Sequence, residues 1–218
     1  MGRPAAIFDL DGTLIPNTSA ERAFFSYLVR RGILSPWNIV QMAASAWSAG
    51  LNLHAMTRGN KIYLRGKSIG GLRTIARDFF EPRIQSMVFP TMQSRIERHR
   101  DAGDLLLLLT GSLDVIAECF VRHLNLDGQQ SAHLQVRNGR CTGRVEGILP
   151  YGLGKLEVLR MLRQRFDVDQ GSSWLYANVY SDRFVMNAVE HPVAVNPDRR
   201  LRAYALRHHW MTVQAQRR

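Results

Sequence analysis

The chain has only two cysteines in 218 residues, Cys119 and Cys141, and no Cys-x-x-Cys pair. That excludes a disulfide framework and a cysteine-ligated zinc site, and predicts buried free thiols in a reducing compartment. The seven histidines show no metal-ligand spacing. Long apolar runs are missing too. The longest apolar-leaning stretch, residues 37–53, contains Asn38, Gln41, Ser45, Ser48 and Asn52, too polar and too short for a membrane span. The first dozen residues reach an apolar run and then a charged motif, which predicts no signal peptide and a cytoplasmic location.

Acidic residues are scarce: 18 Asp and Glu against 29 Lys and Arg, a net charge of +11. Such a surface attracts phosphorylated metabolites, nucleic acids or anionic lipid headgroups, or is simply a solvated basic face. The arginines are dispersed, apart from a terminal pair at Arg217 and Arg218, and no basic arm or aromatic-interleaved motif occurs. No specific nucleic-acid partner is therefore expected. What is present is ordinary for a globular protein: 45% hydrophobic and 22% charged residues, at a length suited to one core domain with a modest insertion, or one large domain.

Ala5-Ala6-Ile7-Phe8 reads as a buried strand ending in Asp9. Residues 19–80 turn helical, with apolar residues at intervals of three and four (Phe24, Phe25, Leu28; Ile39, Val40, Ala43, Ala44, Trp47), broken by Gly32, Gly50 and Gly66. This predicts several short helices, with Trp37 and Trp47 in their core. Leu105–Leu109, bounded by Gly103-Asp104 and Thr110-Gly111, predicts a central parallel strand. His133–Val136 and Cys141–Val145 flank Asn138-Gly139, a hairpin signal. Helices are expected over Leu113–Leu124, Lys155–Phe166 and Arg183–Val189, and strands over Trp174–Ala177 and Val193–Val195. Alternating strands and helices predict an α/β fold, a doubly wound, Rossmann-like parallel sheet. Its core comprises residues 1–16 and 90–218, with residues 17–89 inserted as a helical cap. Ligands of such sheets sit beyond the carboxyl ends of the strands. Those ends carry Asp9 and Asp11, Thr110 and Ser112, and Asn178 and Asp182, while Lys155 opens a nearby helix.

Asp9-Leu10-Asp11-Gly12-Thr13 is the sharpest signal. Two carboxylates two residues apart can divide labour: one attacks, the other moves the proton. The same residues also suit an Asp-rich turn. Thr110-Gly111-Ser112 can hold phosphate oxygens or cap a helix. Lys155 can neutralise a phosphoryl group or lie at the surface, and Asp182 can support a metal or cap the next helix.

Together these segments resemble the haloacid dehalogenase-like phosphatases, in particular the phosphoserine-phosphatase-like members. The first motif is Asp9–Thr13, the second Leu108–Ser112, the third Lys155, and the fourth Tyr176–Asp182. The resemblance implies a small phosphorylated substrate, with Asp9 as nucleophile forming an aspartyl-phosphate and Asp11 as general acid and base. It implies Thr110, Gly111 and Lys155 on the phosphoryl group, and Mg²⁺ held by Asp9, Asp11, Asn178 and Asp182.

Two departures stand out. Asn178 occupies the place of the family's metal-binding aspartate, which predicts weaker Mg²⁺ binding, slower turnover, or a protein that only binds phosphorylated ligands. The glutamate expected to read a phosphoserine amine falls near Thr18, and the nearest glutamate is Glu21, which disfavours phosphoserine. Arg58, Lys61, Arg65 and Lys67 face either an anionic substrate or, as the preferred reading, water from one side of a helix. The basic charge and the apolar 37–53 stretch also motivate an alternative, action on lipid phosphates at a membrane surface. Oligomeric state is not encoded in any of these features.

Overall fold

A strand buried at every position belongs at the centre of an α/β sheet, and β1 (Ala5–Phe8) is such a strand. The computed structural model describes residues 2–17, 19–48 and 60–216. In it β1 lies between β2 (Leu105–Leu113) and β5 (Trp174–Ala177), parallel to both, with Ile7 opposite Leu107 and Leu175. On one side β2 is followed by β3 (Gly128–Arg137) and β4 (Arg140–Glu146). On the other, β5 is followed by β6 (His191–Val195) and β7 (Met211–Val213). The seven strands run β4-β3-β2-β1-β5-β6-β7, and only the β3–β4 pair is antiparallel. Its turn is Asn138-Gly139, both at positive φ, as a two-residue hairpin requires.

Successive strand residues point to opposite faces, and each face has its own core. Phe8, Leu106, Leu108, Tyr176 and Val193 face one side. Ile7, Leu107, Leu175 and Ala194 face the other, against Val158, Leu159 and Leu162 of α6 (Leu153–Phe166) and Leu201 of α8 (Arg199–Arg207). Helices on both faces of a parallel sheet make the fold doubly wound, as predicted. The chain leaves β1 for β2 on one side and returns to β5 on the other. The carboxyl end of β1 is thus the switch point where such sheets bind ligands.

Between β1 and β2 lie α1 (Ala20–Arg30), α2 (Pro36–Ser48), a 3₁₀ turn at Ile62–Leu64, α3 (Ile69–Met87) and α4 (Pro90–Asp101). Phe24 and Leu28 of α1 and Leu72, Ala76 and Phe80 of α3 join the same buried cluster as Phe8 and Leu106. Here the sequence expectation of short helices is corrected, since α3 runs 19 residues through Gly70, Gly71 and Pro82. Trp37 is corrected as well: it is 65% exposed. Its neighbour Asn38 turns inward, accepting from the Ser35 hydroxyl at 2.8 Å and donating to the Arg65 carbonyl at 3.4 Å. Adjacent helical residues point about 100° apart, so anchoring Asn38 sends Trp37 to solvent. The side chain of Trp47, residues 49–53, Thr18 and Arg58 lie outside the described residues.

Elsewhere the differences are at boundaries. The leucine strand continues through Thr110, Gly111 and Ser112 to Leu113, with an irregular register against β3, and α5 (Asp114–His123) follows. The hairpin strands are longer than predicted, and α7 (Arg183–Met186) is shorter. The sequence reading had no counterpart of α8 or β7. Cys119 and Cys141 are buried free thiols, as expected. No helix among the described residues is long and apolar enough to cross a membrane.

Candidate active site

Asp9 continues β1, its backbone N–H donating to the Tyr176 carbonyl of β5 at 2.9 Å. The chain then turns at Gly12, where φ is +83° and the Gly12 N–H returns to the Ile15 carbonyl at 2.8 Å. A β-carbon at Gly12 would stand 1.9 Å from Asn178 Nδ2, so only glycine lets the first and fourth motifs touch. The turn aims both carboxylates into a cavity of about 590 Å³.

Lys155, from the first turn of α6, is 4% exposed. Its Nζ donates to Asp9 Oδ1 and to Asp182 Oδ2, each at 2.8 Å. A buried ammonium is tolerated because two carboxylates flank it. Burial opposes its charge, yet Asp182 and Asp9 hold its pKa well above the ordinary lysine value. Burial pushes the Asp9 carboxyl up to about 6, with Lys155 pulling it down and Asp182 pushing it up. The Thr13 hydroxyl approaches Asp9 Oδ2 at 3.5 Å.

Asp11 is held differently. Its Oδ1 accepts the Ala20 N–H at the start of α1, at 2.7 Å, and its Oδ2 accepts the Ser112 hydroxyl at 2.8 Å. Burial raises its pKa and those two bonds oppose the rise. Ser112 in turn donates its N–H to Thr110 Oγ1 at 3.1 Å. Thr110 is therefore not a helix cap, and it stands beside Gly111, which passes the Pro150 carbonyl closely.

Asp9, Asp11, Thr110, Gly111, Lys155, Asn178 and Asp182 all line this one cavity. Four separate stretches of chain supply them, as the sequence reading expected. Two of their oxygens, Asn178 Oδ1 and Asp182 Oδ1, are buried without a hydrogen-bond partner. Such atoms need an explanation, and an unseen cation is one. With a carboxylate of Asp9 and the main-chain carbonyl of Asp11 nearby in sequence, the donors are hard oxygens of the kind that Mg²⁺ takes. Among the described residues no group of three or more Asp, Glu, His or Cys side chains is arranged for a metal, and Asn178 brings a neutral amide oxygen to this cavity.

The outer wall contains residues that the sequence reading misjudged. Lys61 is 1% exposed, and the water-facing reading is corrected for it. Residues 60–67 form a bridge and a 3₁₀ turn rather than a helix side. Lys61 Nζ donates to Glu21 Oε1 and Oε2 at 2.6 and 2.8 Å, and the Tyr63 hydroxyl donates to Oε1 at 2.8 Å. Glu21, Lys61 and Tyr63 thus close the cavity opposite the carboxylates. The signal available was Glu21 alone, since pairing across forty residues has no local pattern. Lys67 Nζ donates to the Ile33 carbonyl, and Arg65 is exposed outside this cavity.

Comparison with known proteins agrees with this geometry. The haloacid dehalogenase-like hydrolase family model matches residues 6–186. A Mycobacterium tuberculosis protein named phosphoserine phosphatase is 27% identical over 94% of this chain and 69% of its own length. A Neisseria meningitidis protein named histidinol-phosphatase is 26% identical over 94% of this chain and 96% of its own. A Bordetella pertussis crystal structure of unknown function superposes with a TM-score of 0.80 at 23% identity, covering 98% of this chain and 99% of that one. With the match spanning β1 through α7 and every motif in one cavity, the chain belongs to the haloacid dehalogenase-like hydrolases.

Proposed function

We propose that this hydrolase cleaves a small phosphate monoester through a phosphorylated Asp9. The observation that carries the reading is Asp9 itself, buried at a strand end and oriented by Lys155, with Asp11 two residues on in the same cavity. An Asp9 oxygen attacks phosphorus as the bond to the leaving alkoxide breaks, and Asp11, whose burial favours the protonated form, gives that oxygen its proton. A water then attacks the acyl phosphate, the Asp11 carboxylate takes its proton, and orthophosphate leaves with Asp9 restored. Lys155 and the Thr110–Ser112 turn offer donors to the phosphoryl oxygens. Mg²⁺, which Asp9, Asp11, Asn178 and Asp182 would hold, supplies positive charge against the phosphoryl group. Residues 17–89 act as the cap that encloses the substrate.

The names of the two relatives, a phosphoserine phosphatase and a histidinol-phosphatase, support a small phosphomonoester as substrate. Glu21 meets Lys61 and Tyr63, which weakens its claim on a substrate amine, so phosphoserine stays disfavoured. Hydrolysis of p-nitrophenyl phosphate with and without Mg²⁺ tests the reading. Asp9→Asn is expected to lower the rate by about a thousandfold or more, as loss of a nucleophile does. Asn178→Asp is expected to raise it and to lower the Mg²⁺ concentration needed. A second reading, ligand binding without turnover, rests on the neutral Asn178 amide. It prevails when neither the chain as written nor Asn178→Asp turns over substrate at saturating Mg²⁺.

A further inference from the structure

A second concavity, of about 870 Å³, shares Asn60 and Ile62 with the wall of the catalytic cavity. Its floor is built by backbone. Residues 60–69 run beside β4, with Lys61 N–H on the Gly143 carbonyl at 2.9 Å and Gly66 N–H on the Cys141 carbonyl at 2.8 Å. Gly143 permits this approach, since a β-carbon there would lie 2.9 Å from Ile62 Cα.

Around that floor stand Arg65, Arg137, Arg140 and Arg144. Arg137 and Arg140 are directly opposed across the hairpin, and strand alternation puts Arg140 and Arg144 on one face of β4, away from buried Cys141. Among the described residues the lining holds no carboxylate and no aromatic ring. Other arginines of the chain meet acids, as Arg73 does Glu118 and Arg122 does Glu81. Among the described residues none of these four has an acidic partner within ion-pair distance. Arg140 is tied to the Gly66 carbonyl at 2.9 Å.

Four exposed arginines lining one cleft without counter-charge give it a positive potential that favours an anion. Their forked donors suit phosphate oxygens. We propose that this cleft binds a compact polyanion, a small molecule carrying several phosphate groups, at a site separate from the catalytic one. The lack of aromatic platforms in the lining argues against a single-stranded nucleic acid, whose bases need faces to stack on. The segment carrying Asn60 and Ile62 also carries Lys61 and Tyr63, which meet Glu21 in the catalytic cavity. A bound polyanion therefore braces that wall and changes turnover without competing for the substrate.

The test is calorimetric titration of the full chain with tripolyphosphate in magnesium-free buffer containing EDTA, a readout that needs no turnover and so stands apart from the hydrolysis assay. The expected result is one equivalent bound. Arg137→Gln with Arg144→Gln should weaken it about tenfold or more through lost charge-assisted contacts, leaving basal hydrolysis intact. Arg199→Gln with Arg202→Gln, an equal charge loss on exposed positions of α8, should leave it unchanged. The proposal is overturned by absence of binding, by equal weakening in both pairs, or by tripolyphosphate competing with p-nitrophenyl phosphate while ignoring the Arg137 and Arg144 changes. A single-stranded oligonucleotide that binds more tightly than tripolyphosphate, and through the same arginines, would overturn it in favour of nucleic acid.

Discussion

Lys155 sets the electrostatics of the site residue by residue. It contacts both Asp9 and Asp182, yet burial still leaves the Asp9 carboxyl near 6. In the proposed mechanism Asp9 attacks as the carboxylate, so the rate is expected to rise as pH increases through that region. A bound cation stabilises the carboxylate and moves this limb to lower pH. In the proposed mechanism Asp11 acts as the acid, so the falling limb reports its carboxyl, which burial shifts upward from the ordinary value. A bell-shaped profile of kcat/KM is expected, with an acid limb at or below about pH 6 that moves down as Mg²⁺ is raised. A limb indifferent to Mg²⁺ would separate the metal from Asp9. Behind the site, His99 Nδ1 lies 2.7 Å from Asp104 Oδ2 and its Nε2 lies 2.7 Å from the hydroxyl of buried Tyr176. Tyr176→Phe strands a buried ring nitrogen, and urea denaturation should show a loss of about 1–3 kcal/mol.

Elements explain why these residues meet. β1 and β5 end side by side, β2 runs past them at the same edge, and α6 brings its first turn there, so Asp9, Thr110, Asn178 and Lys155 converge although the chain separates them widely. The turn after β1 is the least forgiving piece. Gly12→Ala places a side chain at positive φ and against Asn178, and should cost about 1–3 kcal/mol in stability. It should also raise the Mg²⁺ requirement for hydrolysis by displacing Asn178, which urea melts and a Mg²⁺ titration of the rate would check. Most of this level was legible in advance: β1 and β5 by their apolar runs, the hairpin by Asn138-Gly139, α6 by its periodicity. The extension of β2 through Thr110-Gly111-Ser112 was not. Those residues carry turn and cap chemistry, and the register with β3 skips them, resuming at Leu113 opposite Ala132.

At the scale of the molecule, the inserted helices are not set apart from the sheet. Phe24 and Phe80 share a buried cluster with Phe8 and Leu106. Thermal unfolding should accordingly show one transition, with calorimetric and van't Hoff enthalpies in agreement. Two separate transitions in scanning calorimetry would mean that residues 17–89 unfold on their own.

Local chemistry was enough to specify the alternation of strands and helices and to put Asp9, Asp11, Thr110, Asn178 and Asp182 at strand ends, while the joint resemblance of four segments to one family singled them out together with Gly111 and Lys155. Tertiary structure alone decided the rest. Lys61 is buried because Glu21, forty residues away, accepts its charge, Trp37 is exposed because Asn38 is anchored, and four arginines share a cleft because residues 60–69 lie against β4. Burial and charge pairing of that kind depend on which distant segments meet, and a one-dimensional pattern carries no record of the meeting.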